Sequence, residues 1–161
     1  MQANLIELSM YQISQLFLIP TLVLIAALFL YAFWVLGEFA LLAFYRRRGK
    51  GRPLVSHFCR ESTLSADALD VIAHKQLENP RIASRVTPML GLVATMIPMG
   101  PALKSLSDGN LAQVSENLTI AFSAVILALI AASITYWVVN VRRRWLAEEL
   151  LEIEALRSQQ A

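Results

Sequence analysis

From Asn117 to Val141 the chain carries no Asp, Glu, Lys, Arg or His. Nothing constrains its folding more. A helix rises ~1.5 Å per residue, so about 20 apolar residues cross a hydrocarbon core of ~30 Å. Two other runs are of the same kind. Leu16 to Tyr45 has one charge, Glu38, and Arg85 to Lys104 has none between its ends. Inside a bilayer the backbone must satisfy itself, and the alternation of a barrel strand is absent, so the runs predict helices. With 57% hydrophobic and 16% charged residues, little of the chain is left for a soluble domain.

The basic residues predict an orientation. The segment Arg46–Val86 holds nine Lys and Arg, and the tail opens with Arg142, Arg143 and Arg144. The N-terminal segment has none, and the loop before the third run has only Lys104. The expectation is an all-α integral membrane protein, N-terminus outside and C-terminus inside. Its parts are an outer segment (1–15), a first span (16–45), a cytoplasmic segment with a short helix (46–86), a second span (87–103), an outer loop (104–116), a third span (117–141) and a cytoplasmic helical tail (142–161). The first run does not read as a cleaved signal peptide. It is too long, nothing basic precedes it, and "YRRRGKGR" follows it.

Outside the spans, "STLSADALDVIAHKQLEN" predicts one short helix, with Ser65 as N-cap and Asn79–Pro80 as its stop. Leu146, Leu150, Ile153 and Leu156 give the tail an apolar stripe that continues the third span. That stripe needs a partner, either the short helix or a neighbouring subunit. His57, Cys59 and His74 match no zinc spacing, so no metal is expected. The arginine run beside a span is a topology signal and a lipid contact, not a nucleic-acid site. No phosphate loop, triad or carboxylate pair stands in the spans, so neither an enzyme nor a cofactor is expected.

The second span is written unlike an anchor. Thr87 can cap it, with Pro88 at the first helical position. Gly91, Thr95, Pro98 and Ala102 then share one face, stepping by three and four. Pro98 cannot donate to the carbonyl of Ala94, nor Pro101 to that of Ile97. Those freed carbonyls call for a kink and for protein or water opposite them. The third span answers with Ala121, Ala124, Ala128 and Ala131, small residues that let helices approach closely. Thr95 and Ser123 are the hydroxyls to follow; either can bond back to its own helix instead. Glu38 either faces a cavity or pairs with an arginine at the cytoplasmic interface.

"TPMLGLVATMIPM", a short loop and "AFSAVILALIAASITYWVVNVRRRW" together resemble the MotA/TolQ/ExbB proton-channel family. The resemblance covers about residues 81–150. It implies a ring-forming subunit, usually a homopentamer, in the bacterial or archaeal cytoplasmic (inner) membrane. The ring would surround a single-span partner of the ExbD/TolR/MotB kind that carries a membrane aspartate. It implies a pore threonine at Thr95, with Gly91, Pro98 and Ala102 on the same pore-lining face, and with Gly91 and Ala94 at the motif's two glycine places. The third span's usual threonine falls on Val125, and Ser123 points elsewhere on the helix. A non-conducting scaffold of the same fold is the alternative, and Val125 favours it.

Overall fold

The structure is a computed structural model and describes residues 12–48 and 66–160. Three long helices carry it. They are α1 (Leu18–Arg47), led by a helical stretch over residues 12–16, α2 (Ala66–Ser107) and α3 (Leu111–Gln160). All three are long and apolar enough to cross a membrane. The described residues are almost wholly helical, and the chain is a multi-pass membrane protein.

The turn between α2 and α3, residues 108–110, lies within the expected outer loop over 104–116. Gly109, at φ +74°, closes α2 in the left-handed conformation that glycine adopts without Cβ strain. Asn110 N–H donates to the Ser105 carbonyl at 2.9 Å, and Gly109 N–H to that of Leu106 at 3.1 Å. This pair of bonds is the Schellman motif. The Asn110 side chain then accepts from the Gln113 N–H at 3.2 Å and caps α3.

Two sequence expectations fail on α2. The helix does not stop at Asn79–Pro80, and Thr87 is not a cap, because α2 runs unbroken through Pro80, Pro88, Pro98 and Pro101. The reason lies in what the helix buries. Ala73, Leu77, Pro80, Ala83, Thr87, Gly91, Ala94, Pro98 and Ala102 form one buried stripe at steps of three and four. Packing along that stripe outweighs the local stop signals, which are only weak priors. The expected cap at Ser65, and His57 and Cys59, lie outside the described residues.

The packing falls into two units. The first takes in the described residues up to Ala32 together with Ser84–Ser133. Its core is Ile25 of α1, Ala94 of α2, and Ala124 and Ala128 of α3, with Leu22 and Leu90 against them. Gly91 sets the spacing there. A Cβ at that position would stand 2.9 Å from the Ala128 Cβ and 3.5 Å from Val125 Cγ2.

The second unit takes in the described residues of Phe33–Ala83 and Ile134–Ala161. Leu146 and Ile153 of α3 pack on Ala73 and Leu77 of α2, with Ile72 and Leu150 alongside. The tail's apolar stripe therefore has its partner inside the same chain, on what the sequence predicted as the short helix.

Gly91→Ala is expected to lower thermal stability in detergent. The nearest atom is a Cβ, which has no rotamer to yield, so the helices must part; overpacking of this kind costs about 1–3 kcal/mol. Adding Ala128→Gly in the same chain should recover most of the loss in a thermal-unfolding series.

Candidate functional site

The sequence singled out a set of span residues, and the first unit places them as follows. Gly91, Pro98 and Ala102 are buried, as are Ala121, Ala124, Ala128 and Ala131. These small residues make the contact of α2 with its surroundings close and nearly free of side-chain volume. Thr95 and Val125 are half-buried, at the edge of that packing, and Ser123 is exposed.

The hydroxyls are spent locally. Thr95 Oγ1 donates to the Leu92 carbonyl at 2.7 Å, and Ser123 Oγ to the Thr119 carbonyl at 2.8 Å. Thr95 thus turns to Leu92 and not to the Ala94 carbonyl that Pro98 frees. A donated proton still leaves the Thr95 oxygen its lone pairs, so it can accept from a second group.

The other freed carbonyl has a protein partner. Gln15 Nε2 donates to Ile97 O at 3.3 Å. This bond replaces the one that Pro101 cannot make. Nothing in the span pattern pointed to Gln15, which sits before the apolar run of the first helix. A search for a polar side chain near the level of a span proline would have raised it.

The second unit holds a cluster that the sequence did not foretell. Glu149, 1% exposed, is the one carboxylate among the buried side chains described. Arg46 Nη1 donates to its Oε1 at 2.8 Å, and Arg46 Nη2 to Glu148 Oε2 at 2.9 Å. The Arg46 guanidinium also lies 5.0 Å from the centre of the Trp145 ring. Phe39 stacks on Trp145 at 5.0 Å and meets Trp137 edge-on at 5.1 Å. Glu38 Oε1 accepts from Arg142 Nη2 at 3.1 Å. Its partner is thus on α3, not the Arg46 two turns along its own helix.

These pairs set α1 and α3 side by side and parallel in this unit. Glu38 meets Arg142, and Arg46 meets Glu149. The signal was present in the sequence as two reversed patterns, Glu38 then Arg46 on one helix and Arg142 then Glu149 on another. It went unread because parallel alignment of the two helices cannot be inferred from either alone. Among the described residues no group of His, Cys, Asp and Glu could hold a metal ion.

A sequence model of the MotA/TolQ/ExbB proton channel family matches residues 62–155. The chain belongs to this family. No curated protein and no solved structure matches it. The family match takes in all of α2 and most of α3, including the close contact at Gly91 and Ala128, Thr95, and the α3 half of the ion-pair cluster. The first helix lies outside it, so Arg46 and Glu38 are joined to the family region by contacts that only the fold displays.

Arg46→Ala is expected to cost about 3–5 kcal/mol, because it removes the guanidinium hydrogen-bonded to the buried Glu149 carboxylate. Replacing both partners together, Arg46→Met with Glu149→Leu, should cost much less than the single change. A double-mutant cycle by denaturant unfolding in micelles reads both numbers.

Proposed function

We propose that this MotA/TolQ/ExbB family protein is a ring-forming subunit of a complex driven by an ion gradient, most simply of protons. The family match over α2 and α3 carries the proposal. In this scheme the N-terminus lies outside and the arginine-rich ends lie in the cytoplasm, as the distribution of basic residues supports. The membrane is the bacterial or archaeal inner membrane. Copies of the chain, five by analogy with the family, surround a single-span partner that carries a membrane aspartate.

The chemistry follows from what the spans contain. Neither 86–103 nor 117–141 holds an acid, a base or a histidine. A proton crossing there needs a carrier from elsewhere, and a partner's carboxyl is the simplest one. A protonated carboxyl is a hydrogen-bond donor, and the Thr95 oxygen can accept from it while its own proton stays on Leu92 O. A carboxylate instead needs a donor, and rotation of the Thr95 O–H supplies one. Thr95 can thus serve both protonation states at the cost of one local bond. Val125 stands on the α3 side in this scheme and keeps it apolar, while Ser123, exposed and bonded to Thr119 O, points elsewhere.

The second reading is a scaffold of the same fold that conducts no ions. The back-bonded hydroxyl of Thr95 and the apolar Val125 favour it. Flux in liposomes separates the two. With the partner present, Thr95→Val should lower proton flux about tenfold, the factor that a lost hydrogen bond of ~1.4 kcal/mol produces. Thr95→Ser should retain most of it, and the oligomer should be unchanged in both. Equal flux in Thr95→Val and the parent chain would remove Thr95 from the path.

A further inference from the structure

In the second unit, α2 and α3 leave between them a groove of about 860 Å³. At one end it is lined by Arg81 and Ile82 of α2 and by Val139 and Arg143 of α3. Both helices change character there. On α2 the uncharged sequence begins at Val86, and on α3 it ends at Val141. This end of the groove is therefore within about one turn of the charged-to-uncharged boundary on each helix. Asp70 and Glu78, the two carboxylates of the lining, lie on the side of Arg81 that leads away from the span. Asp70 stands 3.5 Å from His74 Nδ1. Arg81 and Arg143 stand at the mouth nearest the span, and the mixed charges lie farther along the groove.

The arginine run divides its labour. Arg142 is held by Glu38 at 3.1 Å, and Arg144 lies 3.8 Å from Glu148. Arg143 between them is exposed and lines the groove, with no carboxylate paired to it among the described residues. A lone guanidinium with an apolar wall beside it, at the membrane boundary, matches one ligand best. It needs a phosphate to bind and hydrocarbon to follow. Basic pockets between spans on the cytoplasmic side suit anionic headgroups, and the cytoplasmic leaflet is rich in them.

We propose that this groove binds the headgroup of an anionic phospholipid, with the phosphate at Arg143 and the start of the acyl chains against Ile82 and Val139. The proposal rests on the orientation given above, and not on ion conduction.

The test is native mass spectrometry of the full chain in detergent, with dioleoyl phosphatidylglycerol or dioleoyl phosphatidylcholine added. Phosphatidylglycerol should be retained in preference, about one per chain. Arg143→Gln should weaken its retention about fivefold, as one arginine near a lipid surface contributes ~1 kcal/mol. Arg144→Gln removes the same charge one residue away and should change retention by no more than about twofold. Helix content and melting temperature, read on both variants, show that they are folded.

Equal weakening by the two variants would mean diffuse attraction and overturn the site. So would equal retention of phosphatidylcholine. Competition by inorganic phosphate at matched concentration would make the ligand a free anion and not a lipid. Disulfide formation between copies through Leu150→Cys, in a Cys59→Ser background and indifferent to added lipid, would show a second copy in the groove. Proton flux is not read here, so loss of this site leaves the channel proposal standing, and failure of the channel leaves the site standing.

Discussion

The approach of α2 to α3 at Gly91 is the contact on which the rest depends. Lipid tails are as apolar as leucine, so burying apolar side chains cannot by itself drive helices together in a bilayer. What remains is van der Waals contact at short range. Gly91 and Ala128 supply it, with no room for another carbon between them. The closeness explains why the buried stripe of α2 is almost wholly alanine, glycine, threonine and proline, with Leu77 the one large member. It also explains how four prolines are tolerated in one helix. Each removes a backbone donor, but tight neighbours hold the helix together, and for Ile97 a neighbour's amide restores the bond.

Away from the small-residue contact the chain uses a different kind of adhesion. Near the arginine-rich ends the helices meet through aromatic rings and ion pairs. A buried Glu149 with Arg46 is not a cheap source of stability, because both charges leave water. Its value is in alignment. Only one sliding of α1 along α3 lets Glu38 meet Arg142 while Arg46 meets Glu149 and Phe39 stacks on Trp145. The pairs therefore fix the sliding of α1 on α3 in that unit.

Much of this was legible in the sequence. Three apolar runs, two of them without a charge, specified three helices, and "LGLVAT" with the alanines of the third run specified the family. The helical spacing of Leu146 and Ile153 specified a stripe, though not which surface would cover it. Other features were hidden for physical reasons. Pro80 reads locally as a stop, and only the burial of Ala73 and Leu77 on one side and Ala83 and Thr87 on the other shows why the helix continues. Gln15 and Ile97 are 82 positions apart, and no local pattern joins them. Thr95 was readable as a hydroxyl in a small-residue face, but its bond to Leu92 is a rotamer choice that the sequence does not record. The ion-pair cluster needed the parallel alignment of two helices that are distant in the chain.

On the proposed function, the carboxyl that carries the proton comes from a partner, because 86–103 and 117–141 hold no Asp, Glu, Lys, Arg or His. The most direct test is proton uptake by liposomes holding a pH gradient, with the unaltered chain reconstituted alone or beside the proposed partner, a single-span protein with a membrane aspartate. The gradient should persist with either protein alone and collapse when both are present. A gradient dissipated by this chain alone, or one that survives both proteins together, would contradict it.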